Sequence, residues 1–279
     1  MIFGSKHLIK ILTVIIILLL LIFIVFNNIN KQPIYNLELL EKLNEKQYKF
    51  IAHAGGGIEN IKYTNSLEAI NQSISLGFKI IEIDLKETLD NKFVGVHDWI
   101  SFKNNSNYIN TNENAILYDE FLNLRLFNKY KPLEVDQINK IFGENSDIYF
   151  LTDKTNNFEK IYKDFKFDKN RILIEIFGKK NFIYSVKNKI INPVYSFNFK
   201  DYDFVIENNI KIISAHSEDI INNKEIYAKL VRKGIFVFAY TSNNSEFINN
   251  NMDKFFTNIY TDFWDFNNNS CISVICDTY

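Results

Sequence analysis

The sequence is poor in the residues that mark several common classes of protein. Among 279 residues there are two cysteines, three prolines and nine glycines. Two cysteines, Cys271 and Cys276, are too few for a disulfide-rich scaffold and lack the partners of a closed zinc site, although their redox state is left open. With 32 basic and 33 acidic side chains, the chain also lacks the excess of cations that nucleic-acid binding requires. We therefore expect no nucleic-acid partner.

Apolar and aromatic side chains are abundant instead. They make up 47% and 15% of the chain, which is enough apolar surface to form an ordered core and excludes a disordered protein. They are unevenly distributed, because residues 11–26 read ILTVIIILLLLIFIVF with Thr13 as the only polar side chain. This run predicts a transmembrane helix over about residues 8–26, with the Lys10 side chain extending to the membrane surface.

A cleaved signal peptide is the alternative explanation of this run. Cleavage would require small residues in an A-x-A-like arrangement, but the sequence that follows is NNINKQPIY. We therefore favour an uncleaved membrane anchor in residues 1–34. Lys6 and Lys10 precede the run and only Lys31 follows it closely, so the positive-inside rule places the remainder outside the cytoplasm. The chain is predicted to be a single-pass membrane protein with an extracytoplasmic domain of residues 35–279.

The length of this domain, roughly 245 residues, fits one (β/α)8 barrel or two smaller domains. Eight strand-like runs alternate with helical patterns and no linker interrupts them, which favours a single α/β barrel of the TIM type. Runs such as ILIEIF and IFVFAY are nearly continuous in apolar residues, as expected of strands buried on both faces. The eight runs are residues 49–53, 78–85, 147–153, 171–177, 193–197, 210–216, 235–241 and 258–263.

Some segments depart from a plain barrel. Residues 86–139 are interpreted as an elaborated loop after the second strand, with a hairpin and at least one further helix. Only 16 residues follow the last strand and they show no helical pattern, so the eighth helix is expected to be missing. The amphipathic segment 35–47 is predicted to form a helix before the first strand. Three glycines are expected to end helices just before strands: Gly77, Gly143 and Gly234.

Catalytic groups of such barrels lie at the carboxyl ends of the strands. The first strand ends in IAHAGGG, where His53 precedes the three glycines 55–57. Glycines allow close approach of backbone N–H groups to an anionic oxygen, which makes Gly55 a candidate for phosphate binding. An ordinary flexible turn is the alternative interpretation.

The second strand ends in IEIDL, which places Glu82 and Asp84 on one face of the strand. Two adjacent carboxylates repel each other, so burying them requires a cation, and oxygen ligands suit Mg²⁺ or Ca²⁺. A solvated strand edge is the alternative, but the flanking isoleucines favour burial.

A second histidine follows the predicted hairpin. The sequence VGVHD returns His97 and Asp98 to the barrel mouth, opposite His53. Imidazoles titrate near neutral pH, so two of them can act separately as acid and base in one reaction. Alternatively, His97 only caps a loop.

The order and spacing of these blocks resemble the glycerophosphodiester phosphodiesterases. The resemblance implies a metal-dependent (β/α)8 barrel in which His53 and His97 are general acid and base, while Glu82 and Asp84 hold one divalent cation, Mg²⁺ or Ca²⁺. It covers nearly all of residues 50–263. The matching blocks are HAGGG at 53–57, TNSLEAI at 64–70, Gly77, IEIDLKET at 81–88, VHD at 96–98 and YTDF at 260–263.

Some positions differ from the family pattern. Ala54 replaces an arginine that contacts phosphate, and Thr64 replaces a glutamate, whereas Asn65 is retained and is a candidate for substrate binding. In FVFAYTSN, which resembles the block of the seventh strand, Tyr240 takes the place of tryptophan. The family's third metal carboxylate is a glutamate closely followed by lysine, and here the matching sequence is FLTDKT. Resemblance therefore suggests three assignments: Asp153 as the third metal ligand, Lys154 as a phosphate contact and Glu175 as the reserve ligand.

The expected substrate is a small-molecule or lipid-derived phosphodiester. Asp98 or Asn65 is expected to orient an imidazole or a substrate oxygen, and His216 is interpreted as a packed or solvated histidine. Related barrels of the phosphatidylinositol-specific phospholipase C and sphingomyelinase D type remain alternatives. A catalytically silent, membrane-tethered binding barrel also remains open, because Ala54 and Thr64 depart from the enzyme pattern.

Overall fold

The computed structural model describes residues 11–19, 32–110 and 112–276. Eight parallel strands close into a barrel, since β1 (Phe50–Ala52) pairs with β2 (Ile80–Glu87) on one side and with β9 (Asn258–Thr261) on the other. Each lies within or closely overlaps one of the eight predicted runs, so the barrel prediction is confirmed. The barrel strands are β1 (Phe50–Ala52), β2 (Ile80–Glu87), β4 (Tyr149–Asp153), β5 (Ile172–Phe177), β6 (Pro193–Ser196), β7 (Ile212–His216), β8 (Phe236–Tyr240) and β9 (Asn258–Thr261).

Helices surround the barrel and connect its strands. Several short 3₁₀ turns accompany them, at Lys46–Tyr48, His53–Gly55, Lys169–Arg171 and Phe199–Asp201. The α-helices after residue 32 are Leu37–Lys42, Leu67–Leu76, Trp99–Asn104, Tyr118–Leu122, Val135–Glu144, Phe158–Asp164, Lys179–Lys187, Tyr202–Glu207, Ser217–Asn222, Lys224–Arg232 and Ser245–Asn251.

Local sequence signals define the ends of these helices. In Leu67–Leu76 the Ser66 hydroxyl accepts a hydrogen bond from the Ala69 amide at 3.2 Å, and Gly77 ends the helix with φ at 99°. Gly234 follows Lys224–Arg232 with φ at 75°. The expectation for Gly143 is wrong, because this glycine lies inside Val135–Glu144. That helix ends instead at Asn145, whose side chain donates to the Ile141 carbonyl oxygen at 2.8 Å.

Alternation along the strands produces two apolar layers. In β2, Ile81 and Ile83 pack outward in the core formed with the helices, whereas Ile80 belongs to the cluster inside the barrel. Leu39 and Leu43 join the inner cluster from the segment that precedes β1. This segment fills the amino-terminal end of the barrel with apolar groups, so the polar side chains gather at the opposite end.

The loop after β2 is an elaborated one, as predicted. Its hairpin strand β3 (Phe93–Gly95) pairs antiparallel with the end of β2, with Leu85 opposite Gly95. A separate apolar cluster lies beneath this loop and contains Val94, Phe102 and Phe121. The loop is therefore a packed structure that fixes where residue 97 lies.

Beyond β9 the described chain, up to residue 276, contains no helix, in agreement with the expected absence of the eighth. Two short strands, β10 (Trp264–Asp265) and β11 (Ser270–Cys271), pair antiparallel instead. The Trp264 ring stacks on Phe50 with centroids 4.3 Å apart. Cys271 and Cys276 are joined by a disulfide bond.

At the amino terminus, residues 11–19 are helical and exposed. The remainder of the predicted transmembrane segment, residues 8–10 and 20–26, lies outside the described residues. Within the described part of the chain, no helix has the length and apolar character needed to cross a membrane.

Candidate active site

A cavity of about 440 Å³ opens at the carboxyl ends of the barrel strands. The sequence predicted catalytic groups at this end of the barrel, and most of the candidate residues line the cavity. The cavity wall includes His53, Glu82, His97, Asp153, Lys154 and Glu175.

Three carboxylates converge next to the cavity, and two of them, Glu82 and Asp153, line its wall. Asp84 and Asp153 are direct register partners in the β2–β4 pairing, and Glu82 lies two residues before Asp84 on the same inward face. One oxygen from each of the three carboxylates lies within 4.8 Å of the others. Asp153, rather than Glu175, completes this group.

The surroundings of Glu82 and Asp84 fit a hard cation. Glu82 Oε2 accepts a hydrogen bond from the Ala54 amide at 2.7 Å, whereas its buried Oε1 has no partner among the described residues. Asp84 Oδ2 accepts a hydrogen bond from Asn65 Nδ2 at 2.9 Å. Burial, followed by repulsion from neighbouring carboxylates, raises the pKa of both Glu82 and Asp84. A buried oxygen without a partner and a concentration of negative charge are what an oxygen-liganded divalent cation would compensate.

Lys154 lies beside this acidic group. Its Nζ is 2.9 Å from Asp153 Oδ2 and 4.0 Å from Asp84 Oδ1. Burial disfavours the ammonium, but the charges of the two aspartates outweigh this effect and raise the pKa of Lys154. The lysine therefore remains charged and offsets part of the negative charge.

Glu175 lies on β5, on the inward face of the barrel. Its carboxylate accepts hydrogen bonds from the Ser214 hydroxyl at 2.7 Å and the Tyr260 hydroxyl at 3.2 Å. Burial, together with repulsion from Asp153, raises the pKa of Glu175 to about 8. Both of its oxygens are bonded to other side chains, and Glu175 lies outside the group of three converging carboxylates.

His53 has a carboxylate partner, Asp262. The His53 Nδ1 lies 3.2 Å from Asp262 Oδ1, and Asn243 Nδ2 donates to Asp262 Oδ2 at 2.7 Å. Burial disfavours the imidazolium, but the hydrogen bond and charge of Asp262 outweigh burial and raise the pKa of His53. The imidazole is therefore held by Nδ1, which leaves Nε2 for a ligand.

His97 is held in the same way by its neighbour Asp98. The His97 Nδ1 is 3.0 Å from Asp98 Oδ2, while Asp98 Oδ1 accepts the Ser101 amide at 2.8 Å and so caps helix Trp99–Asn104. The His97 side chain is 41% exposed. One aspartate thus both starts the helix and orients the imidazole.

Tyr63 lies between the two histidines. Its ring centroid is 4.4 Å from that of His53 and 5.8 Å from that of His97, and both contacts are edge-to-face. Its backbone is left-handed, with φ at 62°. No sequence motif pointed to this residue, because its position depends on the path of the loop.

Three other candidates have structural contacts of their own. Gly55 does not line the cavity, and its carbonyl oxygen accepts a hydrogen bond from Ser73 at 2.8 Å, so its contact is with a helix. Asn65 is also absent from the wall of this cavity. It forms a second hydrogen bond with Asp84 instead, because the Asp84 amide donates to Asn65 Oδ1 at 3.1 Å. His216 lines the cavity and accepts the Glu218 amide at 3.2 Å as a helix cap.

Asp262 is the partner that sequence reasoning missed. The motif YTDF contains it, and a signal was available: in a closed barrel the last strand pairs with the first. Ala52 is opposite Thr261, so the next residues, His53 and Asp262, meet. Asn243, in FVFAYTSN, was also missed; it lies in the loop after β8 and reaches the site through its hydrogen bond to Asp262.

Comparisons with known proteins support the fold. No family model matches the sequence, and no curated protein matches it. The fold does match solved structures. A glycerophosphodiester phosphodiesterase from Parabacteroides distasonis is 20% identical, with a TM-score of 0.59 over 77% of this chain and 92% of that one.

Two further structures are similar. A glycerophosphodiester phosphodiesterase from Thermotoga maritima is 16% identical, with a TM-score of 0.59 over 77% of this chain and 94% of that one. A phosphodiesterase from Oleispira antarctica, in complex with the product sn-glycerol-3-phosphate, is 14% identical, with a TM-score of 0.59 over 77% and 92%. The structural neighbours thus include many glycerophosphodiester phosphodiesterases, a class of phosphoric diester hydrolases, and the chain has the barrel fold of the family that its motifs resemble.

Proposed function

We propose that this protein is a metal-dependent phosphodiesterase that hydrolyses glycerophosphodiesters to an alcohol and glycerol phosphate. One observation carries the proposal: two histidines, each paired with an aspartate, face the same cavity as a triad of carboxylates. Acid and base groups beside a cation site are the groups that phosphodiester hydrolysis requires. The structural neighbours support the same reaction class.

In this proposal Glu82, Asp84 and Asp153 hold one divalent cation, Mg²⁺ or Ca²⁺. When bound, the cation supplies a Lewis acid that offsets the charge developing on the phosphoryl oxygens. Asn65 keeps the Asp84 carboxylate in place through its two hydrogen bonds. Lys154 holds a positive charge next to the triad, where it contacts the phosphate of the substrate.

The two histidines transfer the protons. One takes a proton from the attacking oxygen, which belongs to water or to a neighbouring hydroxyl of the substrate, as that oxygen bonds to phosphorus. The other gives a proton to the alcohol oxygen as its bond to phosphorus breaks. Asp262 and Asp98 hold the two Nδ1 atoms, so the Nε2 atom of each ring carries out the transfer.

The amino-terminal segment serves as a membrane anchor in this proposal, and the barrel lies outside the cytoplasm. The apolar run of residues 11–26 and the lysines before it support this arrangement. The disulfide between Cys271 and Cys276 also supports it, because disulfides persist in oxidising compartments. The anchor would hold the cavity near lipid-derived diesters.

Histidine variants of the full-length chain test the proposal. With glycerophosphocholine and Mg²⁺ or Ca²⁺, we expect release of glycerol phosphate by the wild type and a loss of roughly 100-fold or more in kcat for His53→Ala and His97→Ala. His216→Ala is the matched control, since His216 lines the same cavity but caps a helix. Full activity of His97→Ala would refute the acid–base role of His97, and a wild type that hydrolyses no glycerophosphodiester would favour a binding barrel.

A further inference from the structure

The distribution of charge around the cavity is uneven. Its wall carries two lysines, Lys62 and Lys154, and the carboxylates outnumber them. Lys154 already contacts Asp153 at 2.9 Å and approaches Asp84. Its charge is largely committed to the acidic triad, which leaves Lys62 as the other cation able to meet an anionic ligand.

Lys62 has no competing partner in the part of the chain that the structure describes. Within residues 11–19, 32–110 and 112–276, no carboxylate lies within 4.0 Å of its ammonium, although the residue is half-buried. The side chain lines both the site cavity and a second cavity of about 340 Å³. Among the described residues, only Tyr63 and His97 also line both cavities. Lys62 therefore lies where the two cavities meet, together with the catalytic candidate His97.

The backbone around Lys62 is fixed. Ile58 and Ile61 exchange two backbone hydrogen bonds of 2.8 Å just before it, and the Asn65 amide donates to the Ala54 carbonyl oxygen at 2.9 Å just after it. The neighbouring Tyr63 ring packs on His53. Because both flanks are held, the backbone of Lys62 is fixed, and its side chain extends from an ordered segment at the cavity wall.

No other residue of this loop is a lysine or an arginine. Residues 53–66 read HAGGGIENIKYTNS, with one lysine and no arginine. The position next to His53 is Ala54, whose methyl group is buried and whose amide is bonded to Glu82. Apart from the His53 imidazole, Lys62 is therefore the residue of this loop that can bring a positive charge to a phosphoryl group.

We propose that Lys62 binds a non-bridging phosphoryl oxygen of the phosphodiester at the junction of the two cavities. The inference rests on the proposed function and adds a binding residue to it. An unpaired ammonium that meets a phosphate anion at the edge of a cavity forms a charge-assisted hydrogen bond. Removing such a bond weakens binding about 10- to 100-fold.

The test compares Lys62→Ala, Lys62→Arg and Lys92→Ala in the full-length chain. Lys92 is the matched control, because it is exposed in the β2–β3 turn and lines neither cavity. For Lys62→Ala we expect KM for glycerophosphocholine to rise about 10-fold or more while kcat changes by less than about threefold. Lys62→Arg should retain most of the affinity, and Lys92→Ala all of it.

Binding of sn-glycerol-3-phosphate, measured by calorimetry, separates this inference from the proposed function. A wild type that binds the ligand but hydrolyses no diester would refute the function, and the Lys62→Ala affinity would still decide the role of Lys62. An unchanged affinity in Lys62→Ala, or an equal loss in Lys92→Ala, would overturn the inference. Failure of the wild type to bind would overturn the inference, and failure of the same protein to hydrolyse any diester would overturn both. Circular dichroism checks that each variant is folded.

Discussion

Replacing Glu82 with glutamine tests the cation site. The variant keeps the shape of the side chain but removes one of three carboxylates whose oxygens lie within 4.8 Å of one another. Without a cation, burial and repulsion raise the pKa of Glu82, so the charged carboxylate destabilises the fold. We expect cation-free Glu82→Gln to be at least as stable as the cation-free wild type.

Adding the cation should raise the Tm of the wild type more than that of Glu82→Gln. A cation present at 100 times its Kd stabilises the folded state by about 2.7 kcal/mol. For a domain of this size each kcal/mol raises Tm by about 2–4 °C, so the wild type should gain roughly 5–10 °C. With a ligand carboxylate replaced by an amide, Glu82→Gln should gain less than about 2 °C under the same conditions.

Differential scanning calorimetry measures this difference, with Mg²⁺ or Ca²⁺ added to chelator-treated protein. Glu144→Gln is the matched control, because Glu144 is exposed at the end of a helix and should leave the wild-type gain intact. An equal gain in Glu82→Gln and the wild type would refute the assignment of Glu82. The absence of any gain in the wild type at millimolar cation would refute the site itself.

Three further predictions concern other parts of the barrel. Asp262→Asn should lower kcat roughly 100-fold with KM nearly unchanged, since His53 loses its carboxylate partner. Steady-state kinetics measured across a range of pH test this effect. A pH–rate profile equal to that of the wild type would contradict the prediction. Glu175 has a folded-state pKa of about 8, above its usual value, so its contribution to stability is present at acidic pH and is lost as pH rises towards 8. In denaturant titrations of cation-free protein, the free energy of unfolding of the wild type should fall by about 2–5 kcal/mol between pH 5 and 9 because of Glu175, and Glu175→Gln should remove this fall. The same pH dependence in the variant and the wild type would contradict the burial argument. Gly57→Ala should lower the free energy of unfolding, measured by chemical denaturation, by about 1–3 kcal/mol, because an added Cβ would clash with the Phe263 ring. An unchanged free energy of unfolding would show that the ring can move.

Most of the fold could be predicted because its signals are periodic. Apolar runs separated by helical patterns predict parallel strands, and each strand of the barrel was found in this way. Alternation within β2 placed Glu82 and Asp84 together on the inward face. The same alternation in β4 turns Asp153 inward, and the β2–β4 register then brings it opposite Asp84.

The rest of the site depends on loop paths and on packing between distant residues. Tyr63, Asn65 and Lys154 all have left-handed backbones, with φ at 62°, 44° and 64°. Asparagine adopts this conformation more readily than most residues, but tyrosine and lysine do not predict it. The glycines after His53 suggested contact with an anion, yet Gly55 packs against the helix that follows. A run of glycines permits close approach, but the sequence does not say whether a ligand or a helix approaches.

Hydrolysis of a glycerophosphodiester by the purified full-length chain tests the central claim most directly. Release of glycerol phosphate from glycerophosphocholine should occur with Mg²⁺ or Ca²⁺, should stop when a chelator is added and should return when the cation is restored. Turnover that persists in excess chelator would contradict the role assigned to Glu82, Asp84 and Asp153. Absence of turnover under every cation condition would contradict the phosphodiesterase assignment.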